Sequence, residues 1–138
     1  MIRKVWEKKD AGTLPPLTLA YIGDTVYDLY VRSYLVKEHT LVTGELNKIA
    51  ISFVSAEGQA KAAHGLEPLL TEEERDFLRR GRNAKSSTHA KNASIQDYRM
   101  ATGLETLIGY LYLTGQDDRI DDLMKSAAEI VMTNKAVL

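Results

Sequence analysis

Cysteine is absent from this 138-residue sequence, which excludes disulfide staples, thiol catalysis and cysteine-ligated zinc or iron–sulfur centres, and fits a reducing compartment. Proline is confined to Pro15, Pro16 and Pro68, and alternating β-branched runs with hairpin dipeptides such as Asn-Gly are missing. Long apolar runs are missing too. The uncharged stretch from Thr106 to Gln116 falls far short of the ~20 residues that span a bilayer, and Met1 to Asp10 lacks the apolar centre of a secretory signal. A cytoplasmic protein with no membrane partner is expected. Net charge is only −1, so any attraction to nucleic acid must be local.

What remains is the pattern of an all-α protein of one domain, residues 1–138, a common domain size. The spacing predicts a first long helix just after Pro15-Pro16 to about Lys37, where proline φ suits the first helical turn. Shorter helices follow over about Thr43 to Phe53 and Ser55 to His64, the latter closed by Gly65 and Pro68. A fourth starts at Thr71, whose hydroxyl can cap the amide of Glu74 while Glu74 reaches back, with Arg79, Arg80 and Arg82 at the far end of the dipole. The polar segment Asn83 to Asn92 is expected to be a loop. Two further helices are expected from about Ser94 to Thr114 and from about Asp117 to Thr133, separated by Gly115.

Carboxylates inside apolar stripes are the unusual feature, because ordinary surface helices keep them on the wet face. In the first long helix, Leu19, Ile22, Val26 and Leu29 form one apolar face and Leu17, Ala20, Val31 and Leu35 a second, nearly opposite. Asp24 lies in the middle of the second face and Asp28 borders it. In the run Gly103 to Leu113, Glu105 is the one acid or base apart from tyrosine. Gly109, one turn on, costs roughly 1 kcal/mol of helix propensity relative to alanine, which points to another backbone or a ligand approaching there. Two oxygen ligands from separate helices suit a hard cation of the Mg²⁺ kind and metal-assisted phosphodiester hydrolysis. Pairing of each acid with a basic side chain or with helix N-terminal amides is the competing explanation.

Charge is concentrated between Arg79 and Arg99, where six basic residues face one acid, a local balance of +5 against −6 elsewhere. Such a stretch suits a phosphate backbone, and equally a solvated helix end with its loop. His39, His64 and His89 are too separated for a local zinc signature. Ser86-Ser87-Thr88 beside His89 has no nucleophile elbow, and no phosphate-binding glycine loop is present.

The run Leu19-Ala-Tyr-Ile-Gly-Asp-Thr-Val-Tyr-Asp-Leu-Tyr30 resembles the signature helix of the ribonuclease III endonuclease domain, and Tyr98-Arg-Met-Ala-Thr-Gly-Leu-Glu-Thr-Leu-Ile-Gly109 resembles that family's later metal-binding helix. Both motifs, Arg82-Asn-Ala-Lys-Ser86 and the short length are most similar to the Mini-ribonuclease III branch, which consists of the catalytic domain alone. The resemblance covers nearly the whole chain and implies an all-α, ribonuclease III-like helical bundle with no double-stranded-RNA-binding domain. It implies that Asp24 and Glu105 are catalytic and bind Mg²⁺. The larger ribonucleases III have glutamates at the positions of Leu17 and Ala20 and an aspartate at that of Thr102, so more of the coordination here falls to water and RNA phosphates. Asp28 and Thr102 are supporting candidates; Asp28 either orients water or pairs with a nearby basic residue.

The resemblance further implies cleavage of double-stranded RNA to 5′-phosphate and 3′-hydroxyl ends by a homodimer. With no second module, the catalytic domain itself is expected to grip the RNA, through Arg79, Arg80, Arg82, Lys85 and Lys91. Maturation of the large-subunit (23S) ribosomal RNA precursor is the implied role, with a ribosomal protein as a candidate helper. A non-cleaving RNA- or ribosome-binding scaffold on the same fold is the alternative, and a helical interaction module with structural acids a third.

Overall fold

A computed structural model describes residues 3–39, 42–85 and 94–133. Among the described residues there are seven α-helices and one 3₁₀ turn, with no strand: α1 (Lys8–Gly12), α2 (Pro16–Glu38), α3 (Thr43–Val54), α4 (Ala56–Leu66), the 3₁₀ turn Glu67–Leu69, α5 (Glu72–Asn83), α6 (Ile95–Leu113) and α7 (Asp117–Thr133). The expected all-α class is therefore the observed one.

Helix α6 is the axis of the bundle. From Met100 to Leu111 every residue except Glu105 is buried, as required of a helix packed on several sides. Helix α2 lies along it, α5 and α4 flank it, and α7 closes over α4. Leu104, Leu107, Ile108 and Leu111 meet Leu19, Val26, Leu66 and Leu123 in one apolar core, each fully buried leucine contributing roughly 1.5–3 kcal/mol. Where α2 and α6 cross, the backbones touch: a Cβ on Gly23 would overlap the Glu105 carbonyl, and one on Gly109 the Leu19 carbonyl. The glycine deficit read in the sequence at position 109 is explained by backbone, not ligand.

Local chemistry sets the helix ends. Pro16 occupies the first position of α2, and the Thr106 hydroxyl shares its one proton between the Thr102 carbonyl of its own helix at 2.8 Å and the Pro16 carbonyl at 3.1 Å. Thr71 and Glu74 form the full capping box of α5. The Glu74 carboxylate, 4% exposed, also accepts from Arg119 Nε and Nη2, both at 2.8 Å, locking α5 to α7. The turn after α6 needs a left-handed residue, and Gly115 supplies it at φ 73°.

Two sequence expectations change. Helix α2 is not apolar on both sides: Leu17 and Leu29 are exposed, by 39% and 62%, and the buried face is carried by Leu19, Ala20, Gly23, Val26, Tyr27, Val31 and Leu35. Asp24 consequently sits on an exposed rim rather than inside an apolar stripe. Helix α4 also runs through Gly65 to Leu66, and the chain stops only at the 3₁₀ turn containing Pro68.

Candidate functional site

The α2–α6 crossing brings Asp24 and Glu105 together. They line one cleft of about 520 Å³, open to solvent, with Leu17, Ala20, Tyr21, Ile22, Thr25, Tyr98 and Thr102. Because Gly23 packs on the Glu105 carbonyl, Asp24, the next residue of α2, stands beside Glu105 in the wall of the same cleft. Asp24 is exposed and Glu105 half-buried. Burial, and then the neighbouring Asp24 carboxylate, push the Glu105 carboxyl up to about 8, with the Gln59 amide pulling the other way.

Among the described residues neither acid forms an ion pair; the nearby Asp28 does, to Arg32 Nε at 3.2 Å, and Asp28 does not line the cleft. Thr102, 7% exposed, lies in the cleft wall and donates from Oγ1 to the Tyr98 carbonyl at 3.0 Å, so its oxygen is left to accept. No group of three acids or histidines gathers among the described residues. Two converging carboxylates without a basic partner, in a cleft that admits water, fit one hard cation whose other ligands come from solvent and substrate oxygens.

The basic residues are not equivalent. Arg79 is paired with Asp76 on the surface of α5. Arg80 donates from Nη2 to the Gly12 carbonyl at 2.9 Å and lies 4.8 Å over the Phe77 ring, holding α1 to α5. Arg82 is half-buried, with Nε donating to Asn83 Oδ1 at 3.3 Å, while Lys85 is exposed. Lys91 and most of the polar loop lie outside the described residues.

Two residues beside the site were not singled out from sequence. Tyr27 is fully buried and Gln59 only 3% exposed. Gln59 had a signal: with Ala62, Ala63 and Leu66 it completes a stripe of helical spacing i, i+3, i+4, i+7, a polar residue where α4 is otherwise apolar.

The molecule is thus an all-helical bundle in which two helices, each carrying one acid of the cleft, cross at glycines. Residues 17–116 match the Ribonuclease III domain family. The chain is 50% identical over 119 residues to the Mini-ribonuclease 3 of Clostridium tetani, covering 86% of this chain and 79% of that one. It is 44% identical over 119 residues to the Mini-ribonuclease 3 of Symbiobacterium thermophilum, covering 86% and 92%. A crystal structure of a Fusobacterium nucleatum protein superposes with a TM-score of 0.74 at 27% identity, covering 91% of this chain and 96% of that one. The chain belongs to the ribonuclease III family.

Proposed function

We propose that Asp24 and Glu105 hold a divalent cation, Mg²⁺, at which this chain hydrolyses phosphodiester bonds of double-stranded RNA. That the chain is an endoribonuclease of the ribonuclease III type follows from its family. The observation that carries the metal assignment is the uncompensated pair: two carboxyl groups from separate helices face one open cleft with no arginine or lysine between them, and Glu105 is held up at about 8. A cation relieves both the burial and the repulsion of that pair.

When bound, Mg²⁺ supplies Lewis-acid polarisation of the phosphate and activation of water. The chain does the rest by geometry. Asp24 on the rim and Glu105 deeper in the cleft fix the cation between α2 and α6. Thr102 accepts a hydrogen bond from water in the cleft wall, its own proton being committed to Tyr98. Asp28 acts only through Arg32, as part of the outer charge of α2. Lys85 and Arg82 at the end of α5 contribute phosphate contacts, with Lys91 beyond the described residues.

The homodimer belongs to the same proposal. Tyr21, 83% exposed, and Leu17 stand beside Asp24 as apolar surface that a second copy would cover. The substrate assignment, the large-subunit ribosomal RNA precursor in the cytoplasm, rests on the likeness to Mini-ribonucleases. Incubation of long duplex RNA with Mg²⁺ and wild type, Asp24→Asn or Glu105→Gln tests the reading. Wild type is expected to leave 5′-phosphate and 3′-hydroxyl ends and spare single strands, and both variants to lose at least a hundredfold in rate. Cleavage by Asp24→Asn at the wild-type rate refutes the metal role, and binding without cutting by wild type favours the scaffold alternative.

A further inference from the structure

Helix α6 buries two threonines, and only Thr102 of the two faces the cleft. The other, Thr106, is fully buried and stands where three helices meet. Its one proton is shared between two carbonyls: that of Thr102, in the α6 wall of the cleft, and that of Pro16, the residue before Leu17 in the α2 wall. From α5, Gly81 backs the side chain, for a Cβ there would overlap Thr106 Oγ1. A single O–H therefore bridges the two walls, and the side chain that carries it has no room to retreat.

Stability does not call for this hydroxyl. Each acceptor also faces an amide four residues on in its own helix, that of Thr106 for Thr102 and that of Ala20 for Pro16, so a valine at position 106 would orphan neither carbonyl. Valine fills similar volume and brings no polar atom to bury. What it cannot do is let the Pro16 carbonyl come as close. The hydroxyl holds that oxygen at 3.1 Å, whereas carbon keeps about 3.3–3.6 Å from a carbonyl oxygen. With Gly81 behind, the difference falls on the first turn of α2, and the helix carries it on to Asp24. We propose that Thr106 is a positioning residue for the cleft, its hydroxyl holding the two walls at the spacing at which Asp24 and Glu105 share one cation. The proposal rests on the assignment of those two acids as metal ligands.

The test is calorimetric titration of the RNA-free full chain with Mg²⁺, for wild type, Thr106→Ser, Thr106→Val, Thr106→Ala and Asp24→Asn, with thermal unfolding of each protein alongside. Thr106→Ser keeps the hydroxyl and loses the methyl, Thr106→Val does the reverse, and Thr106→Ala loses both. Affinity per folded molecule is expected to follow the hydroxyl: Thr106→Ser within about twofold of wild type, Thr106→Val and Thr106→Ala about three- to tenfold weaker, the factor that one neutral hydrogen bond carries. Tm is expected to follow size instead, with Thr106→Val above Thr106→Ser and Thr106→Ala lowest. Affinity that tracks size and Tm, or that is equal across the Thr106 series, overturns the positioning role while leaving the metal site standing, provided Asp24→Asn binds more weakly. Equal affinity in wild type and Asp24→Asn, or no saturable binding by wild type, overturns both. Should Thr106→Val not fold, Thr106→Ser against Thr106→Ala decides, since these differ by the oxygen alone: weaker binding by Thr106→Ala supports the role, and equal binding overturns it.

Discussion

The α-carbon of Gly23 lies against the carbonyl of Glu105, leaving no room for a side chain between α2 and α6. Glycine at this point shortens the interhelical distance, and the short distance sets Asp24, the next residue, in the same cleft as Glu105. Backbone packing and site chemistry are thus set by the same contact.

Gly23→Ala is accordingly expected to damage both. A methyl group there must push against the Glu105 carbonyl and the Gly109 amide, which are backbone and cannot rotate away. Overpacking of this kind costs about 1–3 kcal/mol, read as a lower urea midpoint. At a temperature where the variant is still folded, cleavage should also fall, at least tenfold, because the carboxyl groups are moved apart. Gly44→Ala is the control: no atom lies within 4 Å of the added methyl, and the helix gains about 0.5–1 kcal/mol. A Gly23→Ala protein as stable and active as wild type would contradict the backbone contact.

The raised Glu105 carboxyl makes metal-free stability depend on pH in a defined direction. Its ordinary value is 4.5 and its folded value about 8, so between these the folded state binds the proton more tightly than the unfolded chain. Stability from this group is full below about 4.5 and is lost as pH rises through about 8. Urea midpoints of the metal-free protein from pH 5.5 to 8.5 should therefore fall more steeply in wild type than in Glu105→Gln. Mg²⁺ should flatten the wild-type curve. Parallel curves for the two proteins would show that Glu105 ionises normally.

Much of this was legible in the sequence, for physical reasons that differ from residue to residue. The Thr71–Glu74 capping box and Pro16 act within a turn of chain, so local pattern suffices to find them. Gly109 stood out because a helix pays for glycine only where something comes close. Asp24 was misjudged as buried because periodicity shows where apolar residues recur but not which stripe meets a neighbour; Leu17 and Leu29 are apolar and exposed. Helix α1, five residues long, has too few turns to show a period. The division of labour among Arg79, Arg80 and Arg82 depends on Asp76, Gly12 and Phe77 as partners. A charge count treats them alike.

Glu74 offers the complementary case of an acid that serves stability alone. Burial pushes its carboxyl up, but hydrogen bonds from Arg119 and the Thr71 amide outweigh this and hold it below the usual range. Its contribution is present above the unfolded pKa and lost as pH falls through the folded one. Arg119→Ala leaves the carboxylate buried without its cation, which costs about 3–5 kcal/mol, measurable as a lowered urea midpoint near pH 7. Duplex cleavage per folded molecule at low temperature should be unchanged. Loss of cleavage with the fold intact would mean that the α5–α7 lock also shapes the cleft.

The basic residues of α5 and Lys85, just beyond its end, separate into structural and RNA-facing groups by a salt titration. Duplex-RNA affinity, measured in an Asp24→Asn background to prevent cutting, should weaken with salt because each phosphate contact releases counterions. Lys85 is exposed, so Lys85→Ala should reduce the log–log salt slope by about 1 and leave the urea midpoint alone. Arg80 is committed to the Gly12 carbonyl and the Phe77 ring. Arg80→Ala should instead cost about 1.5 kcal/mol or more of stability, the worth of a charged hydrogen bond, with the slope unchanged. An equal loss of slope in Arg80→Ala would mean that Arg80 abandons Gly12 for a phosphate when RNA binds, and that α1 is released from α5 in the complex.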